Sequence, residues 1–218
     1  MNESTLETLC LSWFAEQGWE IHYGPDIAPD GYNPQRASYH DVFLTPVLNA
    51  CLQKINPHLP TDVFEQVISR ITRAESPDLI ASNKTFHHWL LEGVPVQYRR
   101  DEELIHDHAL LVDFSQPQNN RFMVVNQMTI SGTKQPRRPD IICFINGLPL
   151  AVVELKSPID DKVDIWDAYH QLQTYKDEIR DLFISNEALI VSDGYLARAG
   201  SLTATEERFM PWKTISNE

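Results

Sequence analysis

Residues 139–156 read PDIICFINGLPLAVVELK, two apolar runs joined by Asn146-Gly147, with Asp140 opening the first and Glu154 and Lys156 closing the second. An Asn-Gly pair between two runs rich in β-branched residues predicts a β-hairpin, with strands over 141–145 and 148–156. A Glu and a Lys at the end of an otherwise buried strand are costly unless they pair or bind an ion. Side chains alternate along a strand with a period of two, so Glu154 and Lys156 share a face. For Asp140 to join them, the residue numbers paired across the hairpin must sum to an even number. A plain two-residue turn pairs Ile145 with Leu148, which makes the sum odd and turns Asp140 away. A site built on all three residues therefore requires an odd-length loop, such as Ile145-Asn146-Gly147 with a left-handed glycine, or a bulge elsewhere in the hairpin.

If that condition holds, two carboxylates on one face suit a hard divalent cation such as Mg2+, which prefers oxygen ligands and keeps several waters. An activated water beside a lysine ammonium is a nucleophile suited to a phosphodiester, and the cation and lysine together stabilise the charge of the transition state.

The surroundings of the hairpin are mixed α and β. Ser4-Thr-Leu-Glu7 followed by Leu6, Leu9, Cys10, Trp13 and Phe14 predicts a one-sided helix with Ser4 and Glu7 as a capping box, ending at Gly18. A Gly/Pro/Asp-rich loop spans 24–34, and residues 40–92 are predicted mostly helical, broken near Pro57–Pro60 and at Ser76-Pro77. From Val94 the pattern changes to short strand-like runs, including 110–114 and 121–130. After the hairpin, Lys162 to Leu182 returns to helical spacing with Asp160 or Asp161 as its cap, and 188–192 is a further buried strand. The expected organisation is one domain over 1–218, with a helical part at 1–92 and an α/β core at about 94–200, its central mixed sheet flanked by helices.

Composition bounds the partners. The 218 residues carry a formal net charge of −13, which argues against tight, unaided nucleic-acid binding. The deficit is uneven: residues 1–118 hold 7 Lys/Arg against 17 Asp/Glu, while residues 119–218 hold 11 against 14. Lys134, Arg137 and Arg138 form a basic cluster just before Pro139-Asp140, a candidate phosphate contact. Three scattered cysteines with no C-x-x-C, no membrane-length apolar run and an acidic, polar N-terminus lead us to expect a protein of a reducing cytoplasm. His106-Asp107-His108 could set two imidazoles on one strand face, but no third ligand has a recognisable spacing, and a structural role is preferred.

Pro139-Asp140, thirteen intervening residues and Glu154-Leu155-Lys156 resemble the PD-(D/E)xK nuclease signature. The runs Val124–Ile130, Arg137–Ile142, Phe144–Leu150 and Val152–Pro158 more specifically resemble the N-terminal nuclease domain of the restriction (motor) subunit of type I restriction-modification enzymes. Gln171 and Tyr175 match that family's Q-x-x-x-Y motif, Glu7 matches its first-helix glutamate, and Arg208-Phe-Met-Pro-Trp-Lys213 resembles its link toward helicase-like motor domains. The resemblance implies a restriction-endonuclease-like fold with Mg2+ on Asp140, Glu154 and the Leu155 carbonyl, and with Lys156 positioning the water. It also implies double-stranded DNA as substrate, methyltransferase and specificity subunits as partners, no membrane, a prokaryotic cytoplasm, and cleavage after ATP-driven translocation. No Walker A pattern occurs here, so ATP chemistry is expected outside this chain, read as a fragment of a longer one. Two structural roles compete with catalytic ones: capping at Glu7, and packing at Gln171 and Tyr175. The competing functions are a non-catalytic DNA-binding or assembly module and a repair nuclease of the same fold.

Overall fold

The computed structural model describes residues 2–73, 76–157 and 164–212. Its centre is a seven-stranded mixed sheet in the order β1-β4-β5-β6-β7-β8-β9. The strands are β1 (Glu20–Tyr23), β4 (Phe122–Asn126), β5 (Ile141–Ile145), β6 (Leu148–Leu155), β7 (Ala188–Ser192), β8 (Ala197–Gly200) and β9 (Met210–Pro211). β1/β4 and β6/β7 pair parallel; the other neighbours pair antiparallel. A separate hairpin, β2 (Val94–Arg100) with β3 (Glu103–Ala109), stands outside this sheet.

The two faces of the sheet are covered unequally. On one face lies the large core, where α2 (Thr45–Ile55), α3 (Thr61–Ile71), α4 (Leu79–Glu92) and α5 (Ile165–Glu178) contribute Leu48, Val63, Phe86 and Leu172 against Ile142, Phe144 and Val152. On the other face α1 (Glu3–Glu16) presses Leu6 against Val124, Ile141, Cys143, Val153 and Leu155. Strands buried on both faces read as continuous apolar runs, which explains 141–145 and 148–155.

The hairpin satisfies the parity condition by a bulge. Asn146 (φ +55°) and Gly147 (φ +83°) form a two-residue turn that pairs Ile145 with Leu148 and Phe144 with Pro149. The register then shifts, and Cys143 pairs with Ala151, Ile142 with Val152 and Ile141 with Val153. Leu150 is the extra residue. Pro149 lacks the N–H that a regular ladder would use, which confines proline to edges and bulges. The freed carbonyls are taken up elsewhere: Ser185 Oγ donates to Pro149 O at 2.8 Å, and the Glu187 N–H donates to Leu150 O at 2.7 Å. Continued one step, the shifted register sets Asp140 opposite Glu154.

Several expectations need correction. The cap of α1 is Asn2, whose side chain accepts the Thr5 N–H at 2.8 Å, so Ser4 and Glu7 lie inside the helix and form no capping box. Residues 110–114 are loop, because Asp113 and Asn120 bond to local backbone groups and displace a ladder. β4 stops at Asn126, short of the predicted 130, since Gln127 turns left-handed at φ +55°. Asp160, Asp161, Lys162 and Lys213 lie outside the described residues. The cap of α5 is Asp164, in a capping box with Asp167. Strands β1, β8 and β9 are too short to show a period in the sequence.

Candidate active site

Five of the six candidate catalytic residues meet at the end of β6. Glu154 is fully buried on the face of Val152, and Asp140 is 6% exposed. One oxygen of Asp140 accepts the Leu155 N–H at 2.8 Å, tying the start of β5 to the end of β6. The Lys156 ammonium lies 3.6 Å from Glu154 Oε1 and donates to Gln171 Oε1 at 2.6 Å. Gln171, on α5, donates through Nε2 to Glu154 Oε1 and, at 2.6 Å, to the Tyr175 hydroxyl. Residues four apart are neighbours on a helix, which is why one turn of α5 delivers both side chains to the strand end.

The electrostatics are those of a site short of positive charge. Burial pushes the Asp140 carboxyl up to about 6, against the help of the Leu155 N–H and the Lys156 charge. Burial, then the proximity of Asp140, holds Glu154 well above the usual carboxylate range. Burial likewise raises the Tyr175 phenol. Glu154 Oε2 is buried and has no hydrogen-bond partner among the described residues. An orphaned, desolvated carboxylate oxygen beside a second carboxylate fits a hard cation. Among the described residues no three His, Cys, Asp or Glu side chains gather around one point. A cation here would therefore rest on Asp140 and Glu154, with backbone carbonyl and water completing its shell, as Mg2+ accepts.

Glu7 lies at the edge of this cluster, near enough for its charge to help raise the Asp140 carboxyl. Its two oxygens accept from Asn126 Nδ2 at 2.6 Å and Gln127 Nε2 at 2.7 Å. The Gln127 N–H in turn donates to the Asp140 carbonyl at 3.0 Å. Glu7 thus clamps α1 to the end of β4, one hydrogen bond from Asp140. The sequence reading missed Asn126 and Gln127, since nothing in the sequence marks the left-handed turn at a non-glycine residue.

The basic cluster divides. Arg137 is paired with Glu178 of α5 and bridges its backbone to Ile130, while Lys134 and Arg138 are exposed on the loop leading to Asp140. His106 and His108 are exposed on β3, and Asp107 turns the other way to accept from Tyr98 Oη at 3.3 Å.

A family model described as the type I restriction enzyme R protein N terminus matches residues 1–208. Over its whole length the chain is 41% identical to the type I restriction enzyme HindI endonuclease subunit of Haemophilus influenzae, covering 21% of that protein. It is 29% identical to the putative type I restriction enzyme MjaIXP endonuclease subunit of Methanocaldococcus jannaschii, again over the whole chain and 21% of the relative. A Staphylococcus aureus subunit, SauCOLORF180P, is 35% identical over 46% of the chain and 10% of its own length. The chain thus spans about a fifth of the length of the first two relatives.

Proposed function

We propose, for a chain that belongs to the family of type I restriction enzyme R protein N-terminal regions, that this α/β unit is the Mg2+-dependent DNA-cleaving module of a restriction subunit, with a PD-(D/E)xK fold. The observation that carries the reading is the buried Asp140–Glu154 pair, one oxygen of which has no partner among the described residues, next to a lysine held by a glutamine. Asp140, Glu154 and the Leu155 carbonyl would hold the cation. When bound, the cation supplies positive charge to the phosphate and acidifies water.

The chain's own groups do the rest. Lys156 presents its ammonium where charge develops on the scissile phosphate, and it orients the attacking water. Gln171 fixes Lys156 through Oε1 and Glu154 through Nε2, so a single side chain sets the spacing of both. Tyr175 holds the second Nε2 hydrogen in place. Glu7 positions the strand end that carries Asp140, through Asn126 and Gln127. Lys134 and Arg138 supply phosphate contacts, and Arg137 braces the loop that bears them. With a net charge of −13, the unit acts on double-stranded DNA delivered by other parts of the assembly: an ATP-driven motor in the same subunit, with methyltransferase and specificity subunits, in a prokaryotic cytoplasm.

The test is plasmid cleavage by the assembled enzyme with ATP and Mg2+, comparing wild type with Lys156→Ala and Asp140→Ala. Loss of cleavage with ATPase activity retained supports the reading. Full cleavage by both variants sinks it and leaves the non-catalytic assembly module.

A further inference from the structure

The turn between β7 and β8 leaves the sheet beside the candidate active site. Leu155 pairs with Ser192 in the parallel β6/β7 ladder, and the Lys156 N–H donates to Ser192 O at 2.9 Å. The chain then turns through Asp193, Gly194, Tyr195 and Leu196 into β8. This turn is braced from within. Asp193 Oδ1 accepts the N–H groups of Tyr195 at 2.9 Å and of Leu196 at 2.7 Å, Ser192 Oγ accepts that of Gly194 at 3.1 Å, and Gly194 takes φ +87°. All of these bonds use backbone and the side chains of Ser192 and Asp193. The side chains of Tyr195 and Leu196 are 83% and 54% exposed.

A lone exposed apolar residue needs no explanation. An aromatic ring beside a leucine is different here, because the braced turn that carries it follows directly on Ser192, whose carbonyl accepts the Lys156 N–H. Tyr195 follows Ser192 by three positions, so its backbone lies within about 10 Å of the residue that accepts the Lys156 N–H. Phosphates along one DNA strand are spaced by roughly 3.4 Å of helix axis. At the same end of the sheet, Lys134 and Arg138 lie exposed on the loop that leads to Asp140.

We propose that Tyr195, flanked by Leu196, is a DNA-contact element that lays its ring on a base or sugar face within about three nucleotides of the scissile phosphate. The inference rests on the nuclease reading above and adds a binding surface to it. Stacking of this kind is sequence-tolerant, because every base offers a π-face. Tyr195 acts on binding and leaves the chemistry at Asp140, Glu154 and Lys156 untouched.

The experiment measures DNA cleavage and binding by the assembled enzyme carrying Tyr195→Ala, Tyr195→Phe or Lys156→Ala. It adds a photoreactive phenylalanine analogue at position 195 to identify what the residue touches. Tyr195→Ala is expected to raise KM for DNA roughly tenfold with kcat unchanged, and Tyr195→Phe to restore it. The photoreactive side chain is expected to crosslink to DNA, with similar yield on unrelated sequences. An unchanged KM for Tyr195→Ala, or crosslinking to polypeptide instead of DNA, overturns the proposal. The Lys156→Ala arm separates the two failures. If it abolishes cleavage while Tyr195→Ala is silent, only the contact is wrong; if it is silent as well, the nuclease reading falls.

Discussion

Two carboxylate sites flank Tyr175, and they differ in how far the described residues neutralise them. At one, Glu178 meets Arg137, whose guanidinium holds the carboxyl below its usual range. At the other, Asp140 and Glu154 share a buried strand end, both are pushed up by desolvation, and one oxygen has no partner among the described residues. The first pair is complete within the protein. The second has one lysine for two carboxylates, and that lysine is shared with Gln171. Such a deficit supports the proposed cation site, because strongly perturbed buried carboxylates cluster where function needs them.

The largest test of this contrast is catalytic. Lys156→Ala or Asp140→Ala should lower plasmid cleavage roughly a thousandfold, while Arg137→Ala should leave most of it. Comparable losses in all three would erase the distinction between the sites.

Next in size is an opposite pH dependence. The Asp140 pKa is raised from 3.8 to about 6, so the folded protein keeps the proton as the unfolded chain loses it. Stability therefore falls as pH climbs through that window, by about 3 kcal/mol once both states are ionised. Glu154 acts in the same direction, and Glu178 in the opposite one: its contribution is present above the ordinary carboxylate range and is lost as pH falls through its depressed value. In metal-free buffer at pH 8, Asp140→Asn with Glu154→Gln should melt higher than wild type. Added Mg2+ should raise the melting temperature of wild type alone. A double variant less stable than wild type in metal-free buffer would show that the pair is self-sufficient, like Glu178 with Arg137.

A smaller effect concerns the basic loop. Removing exposed Lys134 and Arg138 together should reduce the slope of log affinity for DNA against log salt by about 2. Arg137, already paired, should contribute less than either.

The smallest effect addresses how the site is held in register. Ser185→Ala removes the buried bond to the bulge carbonyl of Pro149. It should cost about 1 kcal/mol in denaturant unfolding, with cleavage nearly intact. A larger loss of cleavage than of stability would mean that the bulge anchor also tunes the spacing of Asp140 and Glu154.

Much of this was legible in the residues. The apolar runs and Asn146-Gly147 announced the hairpin, because strand burial and a left-handed turn each demand particular side chains. Glu154 and Lys156 stood out because charge at the end of a buried strand needs a reason. Gln171 and Tyr175 were marked by the resemblance to the family's Q-x-x-x-Y motif, and helical spacing added only that they share one face. Less could be read of Glu7: the apparent capping box dissolved once Asn2 took the cap, and its partners Asn126 and Gln127 are more than a hundred residues away.

The sequence by itself thus determined the hairpin and the main helices, the residue types proposed for the site and the condition they had to meet, since periodicity and turn chemistry are local. It left open how the parity condition would be satisfied. Only the tertiary structure decided that, by placing the extra residue at Leu150. Pro149 in the sequence hinted at such a bulge, but its position is set by the Ser185–Glu187 segment packing against it. Bonds between segments so far apart in the chain exist only once the sheet and helices have assembled.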